Sequence, residues 1–433
     1  MAMDGKELVE KLAKLSQVQS IKDIPQLTHA LFPGTHCPLM GAAMAVGGIK
    51  DSLIVVVGTD ECTYYTKSMT IHSEKFGGIG GRCVSVVLDD HDVTFGSAEK
   101  VQEAFKEIIE EYRPQCVFLV TTCVIEIIGD DFDAISEGLS KLYGIPVLPV
   151  HTEHFKCEDH LPGLERTITV CAEMMKSCDC ENSVNLLGQR MGDFATTELY
   201  AMLQKAGVKI GLQLPCGCSV DDIKNAAAAK VNIVVNDIAL PLAQKMQEKF
   251  GIPYVYFNKF VIPEKIYEAY KNLFVYLDLE LPGELEGLYQ NAREKIEKNK
   301  GELEGITYIY GNTPYAVFEM NCFLSSLGMV PQVIQTNRYT EADEPYAKEI
   351  LQYTDPYVCK AANIAPLQYV YDVLSPYLYL GHEFGNRLRQ KGIAIVDSDR
   401  ASGMLGFEVT GYLLQQLVKS VREAKEYRKE LGL

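Results

Sequence analysis

The sequence predicts an α/β protein of three doubly wound, Rossmann-like domains in series, each with a parallel sheet. Two observations carry this. Short β-branched runs alternate with longer amphipathic stretches along the 433 residues, and the alternation restarts twice. Continuous apolar strands separated by helices are covered on both faces, which is the habit of parallel sheets.

The first group of runs is Ser52–Val57, Cys83–Leu88, Cys116–Thr121 and Ile145–Val150, with helix-like stretches at Ser97–Tyr112 and Asp131–Tyr143. The second is Ser183–Leu187, Val208–Leu214, Val231–Val235 and Ile252–Phe257. The third is Ile306–Tyr310, Val330–Thr336, Tyr357–Cys359, Leu378–Leu380 and Ile393–Val396. SCDCENS (Ser177–Ser183) and the charged stretch Pro282–Glu304 separate the groups. The division is then a helical N-terminal arm at 1–25 and domains at 26–180, 181–300 and 301–433.

Apolar residues make up 47% of the chain, enough for a large core. With 41 Lys and Arg against 58 Asp and Glu, the formal net charge is -17. Such a surface repels phosphate backbones and anionic lipid, which argues against nucleic acid and membrane as partners. No apolar run is long enough to span a bilayer, and MAMDGKELVEKLAKL lacks the apolar core of a signal peptide, so a cytoplasmic protein is expected. There, 13 cysteines are buried thiols, metal ligands or reactive thiols rather than a disulfide framework.

Ligands of doubly wound sheets sit beyond the carboxyl ends of strands. Cys62 follows the first strand, Cys123 ends the third, and Cys37 precedes the helix-like MGAAMAVGGI. Near helix N-termini their thiolates would be stabilised and would suit iron. Three thiols leave a four-iron cluster one ligand short, to be completed by a second subunit or by a carboxylate, which points to a cluster at a subunit interface. Cysteine is also among the most buried residue types, and spacing alone does not separate ligand from core thiol. No G-x-x-x-x-G-K-[ST] is present, and GGIGG at Gly77–Gly81 reads as a loop rather than a nucleotide site.

Longer motifs add a resemblance. CPLMGAAMAVGGIKDS followed by VVVGTDECTYY, then LDDHDVTFGSAEKV, then VTTCVIEIIGDDFDAI, resembles in order and spacing the opening third of nitrogenase component 1 subunits and their relatives. The resemblance implies that Cys37, Cys62 and Cys123 bind an interface iron–sulfur cluster, either a four-iron cluster or the eight-iron P-cluster type. It implies a homologous or identical partner subunit, in a dimer or an α2β2 tetramer. It implies electrons from an ATP-dependent iron protein, and a central cavity among the domains that holds a second cluster or a tetrapyrrole substrate.

The chain departs from the catalytic pattern. Where the family's α subunit carries a cofactor-ligating Cys, VNIVVNDIAL has Asn236; where it carries a His, IVDSDRASGMLGFE has Asp397 or a neighbour. Neither suits iron sulfide. Cys216 and Cys218, in LPCGCSVDD, and His382, in GHEFG, are further cavity candidates, each with a packing alternative. Cys157 and Glu153, in HTEHFKCEDH, are candidates for an extra cluster ligand, or parts of a polar interface loop. Cys178 and Cys180 form a second C-x-C in the interdomain segment, a metal site or, as favoured, a plain linker. Two functions follow: a nitrogenase-like reductase acting on a substrate other than dinitrogen, or a scaffold subunit for maturation of a nitrogenase-type cofactor.

Overall fold

The computed structural model describes residues 4–27, 36–71, 80–157, 159–190, 192–258, 260–311, 313, 315–360 and 364–433. Each group of apolar runs becomes one parallel sheet. In the first, β1 (Ser52–Gly58), β2 (Cys83–Val87), β3 (Cys116–Thr121) and β4 (Val147–Val150) lie in the order β2-β1-β3-β4. In the second, β5 (Glu181–Gln189), β6 (Lys209–Pro215), β7 (Ala229–Val234) and β8 (Tyr254–Tyr256) lie in the order β8-β7-β5-β6. In the third, β9 (Thr307–Tyr310), β10 (Val330–Gln335), β11 (Tyr357–Cys359), β12 (Leu378–Leu380) and β13 (Ala394–Val396) lie in the order β11-β10-β9-β12-β13. The leading strand of each group has neighbours on both sides, so the chain winds outward both ways and leaves a crevice at the reversal. β1 and β3 are buried along their whole length, as their unbroken apolar sequences require.

The helices that matter for the site are α1 (Pro38–Gly47), α2 (Asp60–Ile71), α3 (Cys123–Ile128) and α4 (Leu161–Val170) in the first domain. α5 (Pro263–Leu277) follows the second sheet, and α6 (Val317–Ser326), α7 (Glu344–Tyr353) and α8 (Glu408–Leu431) belong to the third domain. α8 packs on the helix Leu285–Leu303, which runs across residue 300. Among the described residues ahead of 26, α-helix is confined to Gly5–Glu10, where Asp4 caps the first turn, and Leu15–Gln17 and Ile21–Asp23 are single 3-10 turns. Ala13–Lys14 then adds an antiparallel strand to β11, and Leu8, Leu12 and Leu27 pack with Ile309 and Val333 of the third sheet. The N-terminal segment is thus part of the third domain's wall. Among the described residues no helix is long and apolar enough to cross a membrane.

The first two domains share one core. Ile54, Phe118, Cys116 and Cys171 of the first pack in the same cluster as Leu187, Leu212, Cys218 and Met246 of the second. α1 and α4 cross in near backbone contact. A Cβ on Gly41 would lie 1.9 Å from the His160 carbonyl oxygen, and one on Gly163 would lie 1.8 Å from that of Pro38. Both are backbone atoms that cannot step aside, so Gly41→Ala should lower unfolding free energy by about 2–3 kcal/mol through overpacking, read from urea denaturation.

Candidate metal centre and central cavity

Parallel strands end together, so the loops after β1, β3 and β4 emerge at one edge of the first sheet. Val57 lies opposite Thr121 in the β1–β3 ladder. One residue beyond, Thr122 donates its hydroxyl to the Val57 carbonyl at 2.9 Å. A Cβ on Gly58 would lie 2.0 Å from that hydroxyl, so only glycine lets the two strand ends meet. Each thiol then falls at the start of a helix. Cys37 is the N-cap residue of α1. Cys62 lies in the first turn of α2 and accepts a hydrogen bond from the Thr59 hydroxyl at 3.4 Å. Cys123 opens α3. Helix N-termini carry partial positive charge and stabilise thiolates.

The three thiols are half-buried and act on one another. The Cys123 thiol is pushed up by burial and then by negative charge on Cys62 and Cys37, against the pull of the Val124 and Cys123 backbone N–H groups. Ionising all three together is costly without a cation among them, which is the electrostatic character of a metal site. Their sulfurs are not all within 4.8 Å of one another, so the arrangement does not form the tight cage of a single ion. Among the described residues only Asp89, His91 and Asp92 are that close. Those carboxylates are engaged by Lys100, at 2.9 Å from Asp89 and 2.6 Å from Asp92, and Asp89 caps the following helix.

The loop after β4 is tied to this edge by one carboxylate. Glu126, on α3, accepts from the Thr121 and Thr152 hydroxyls and from the backbone N–H groups of Glu153 and His154. Glu153 itself faces the other way. Its carboxylate binds Arg166 at 2.5 Å and Lys156 at 2.7 Å, and the Lys156 bond leads the causes that hold its pKa low. Cys157 lies 3.7 Å from Arg166, and burial raises its thiol despite that charge. The charged neighbours of Cys157 are Arg166, Glu153 and Asp159, whereas those of Cys123 are Cys62 and Cys37. The structure therefore gathers Cys37, Cys62 and Cys123, and sets Cys157 and Glu153 around Arg166.

A cavity of about 380 Å³ lies where the three domains meet. Leu161 and Asp159 line it from the first, Arg190, Asn236 and Asp237 from the second, and Glu319 and Arg338 from the third. Asn236 is buried and its side chain accepts from the Ile238 N–H, capping a short helical turn. Asp237 and Arg338 form an ion pair at 2.6 Å between the second and third domains. Burial lowers the Arg190 pKa, and its Nε is shut from solvent without a hydrogen-bond partner. No cysteine or histidine lines this space among the described residues.

The remaining cavity candidates lie elsewhere. Gly217, at φ 87, turns the chain between Cys216 and Cys218. Cys218 enters the shared core beside Cys171, and burial pushes its thiol up to about 12. Cys216 stays half-buried with its sulfur 3.5 Å from the Arg190 carbonyl oxygen. His382 is exposed and bonds Asp399 at 3.0 Å, outside the cavity wall. Asp397 is also exposed. Of the glycine run at 77–81, residues 77–79 lie outside the described residues. Sequence reasoning missed Arg190, Glu319 and Arg338. The ends of β5 and β10 mark Arg190 and Arg338 as loop-mouth positions; nothing in the sequence marks Glu319.

The family described as "Nitrogenase component 1 type Oxidoreductase" matches residues 37–422. The "Nitrogenase iron-molybdenum cofactor biosynthesis protein NifE" of Clostridium pasteurianum is 30% identical over 51% of this chain and 49% of its own length. The protein of the same name from Rippkaea orientalis is 25% identical over 73% of this chain and 69% of its own. The "Nitrogenase molybdenum-iron protein alpha chain" of Methanosarcina barkeri is 24% identical over 72% of this chain and 62% of its own. The matched part thus spans about half the length of the first of these relatives. The solved structure "Nitrogenase Cp1 at pH 6.5" superposes with a TM-score of 0.78 at 15% identity, covering 93% of this chain and 95% of that one, a likeness of fold.

Two expectations follow from the thiol edge. Cys62→Ser removes a negative neighbour, so the alkylation profile of Cys123 in metal-free protein should move to lower pH, read by mass spectrometry of the labelled peptide. Glu126→Ala leaves the Glu153 and His154 amides without their acceptor; it should cost on the order of 2 kcal/mol and speed their hydrogen exchange.

Proposed function

This chain belongs to the nitrogenase component 1 type oxidoreductases, and on that footing we propose that it is a scaffold-type subunit carrying an interface iron–sulfur cluster. The observation that carries the proposal is the meeting of Cys37, Cys62 and Cys123 at three helix N-termini on one sheet edge. Those thiolates would hold the cluster, and a cluster bound there supplies one-electron transfer. Three thiols call for a further ligand from a second subunit, homologous or identical. The surface around them suits an interface. Ile127 on α3, Phe155 in the loop held by Glu126, and Phe95 on a helix packed against α3 are 73%, 69% and 76% exposed.

The scaffold reading has two supports. Relatives named as cofactor biosynthesis proteins match long stretches of the chain. Among the described residues the cavity wall offers charge and hydrogen bonds and neither thiol nor imidazole, which suits an occupant that is held loosely. In this role Arg190 and Arg338 supply hydrogen-bond donors to the cofactor beside the carboxylates of Asp159, Asp237 and Asp343. A second reading, reduction of a substrate other than dinitrogen, draws on the likeness to the molybdenum-iron protein alpha chain and on the same polar wall, which also suits an organic substrate such as a tetrapyrrole. In both readings electrons come from an ATP-dependent iron protein.

Protein purified without oxygen should be brown and contain iron. Cys37→Ala, Cys62→Ala and Cys123→Ala should each strip most of that iron, measured by metal analysis and visible absorbance, while Cys157→Ala should keep it. Iron content indifferent to all three would end the cluster proposal. Substrate turnover that needs both ATP and an iron protein would select the reductase over the scaffold.

A further inference from the structure

We propose that Glu319 is a proton-exchanging group of the cavity wall, recharged from solvent through Lys265. The inference rests on the reading that the cavity receives an occupant. Glu319 sits in the first turn of α6, is 6% exposed, and lines the cavity. Its Oε1 is shut from solvent and has no hydrogen-bond partner. A carboxyl oxygen left unsatisfied in a protein interior costs free energy that a structural role does not return. Lys265 is the group that faces that oxygen, and the cavity meets the rest of the Glu319 side chain.

Lys265, on α5, reaches Glu319 from the second domain. Its Nζ is 3.6 Å from Oε1, an ion pair too long for a hydrogen bond. That nitrogen also donates to the Tyr346 hydroxyl on α7 and lies 4.0 Å from the centre of that ring. The Lys265 side chain is 32% exposed. One side chain therefore touches solvent at one end of the relay and a cavity-lining acid at the other. The remaining titratable groups facing Glu319 are the Tyr256 phenol at the end of the second sheet and Cys322 one turn along α6, itself engaged by Glu349 of α7. Burial raises the Glu319 pKa, and the Lys265 charge pulls against it.

Arg190, whose Nε lacks a partner, lines the same cavity beside Asp159, Asp237 and Asp343 and offers a donor to an occupant with an acceptor atom. Such an occupant has a proton-accepting oxygen, nitrogen or sulfur. In the exchange, the O–H bond of Glu319 breaks and its proton passes to that atom. The carboxylate takes a proton from the Lys265 ammonium, and the amine regains one from a solvent water, whose hydroxide is released to bulk solvent. No electron moves in these steps.

Infrared spectroscopy of the protein as purified tests this without turnover. The protonated-carboxyl band lost in Glu319→Gln should exchange rapidly when the protein is moved into D2O. Lys265→Met should slow that exchange by about a hundredfold, and Tyr346→Phe, which keeps the lysine, should slow it less. Circular dichroism checks that each variant is folded. A Glu319 band absent at every pH at which the protein is folded would overturn the proposal, and so would exchange equally fast in Lys265→Met. Iron analysis of the same samples reports on the cluster separately, so one idea can fail while the other stands.

Discussion

The site depends on a property of parallel sheets: every strand delivers its carboxyl end, and the positive end of the next helix, to the same edge. Cys37, Cys62 and Cys123 are far apart in sequence, yet the β1–β3 register and the contact of Gly58 with Thr122 bring the elements that carry them together. The Cys123 thiolate is favoured by the backbone N–H groups at the start of its own helix and opposed by burial and by the other two thiols. That balance favours a positively charged occupant over three free thiolates. A zinc-type C-x-x-C pair solves the same problem locally; here the whole first sheet does it.

Much of this was legible in the sequence because it is local. Strand, turn and helix follow one another with the right periods, so the three sheets and the strand-end positions of Cys62 and Cys123 could be read from the chain. What the sequence hid is what depends on other domains. Cys216 and Cys218 have chelating spacing, yet Cys218 turns into a core whose other half comes from the first domain, beside Cys116 and Cys171. His382 opens a helix-like stretch as a cavity residue would, but Asp399 holds it on the surface. Glu319 reads as an ordinary helix-start carboxylate, stabilised by the helix dipole, until the second domain closes over it.

The two domain junctions differ in chemistry. The first and second domains are joined by a continuous aliphatic core, so parting them would expose apolar surface to water. The second and third face each other across the cavity through charged pairs, Asp237 with Arg338 and Lys265 with Glu319. Water can replace such contacts at modest cost where they are exposed, as the Asp237–Arg338 pair is. The cavity is thus rigid on one side and electrostatically fastened on the other.

Glu126 has a consequence for how the molecule communicates. It grips the backbone of the loop bearing Phe155 and rides on the helix that Cys123 begins. A displacement of that sulfur is therefore levered, over a few bonds, to an aromatic ring on the outer surface. By thermodynamic reciprocity, a neighbour that grasps the ring reaches back to the sulfur. Were a metal bound at Cys123, its arrival and the recognition of a neighbour at Phe155 would be linked through that one carboxylate.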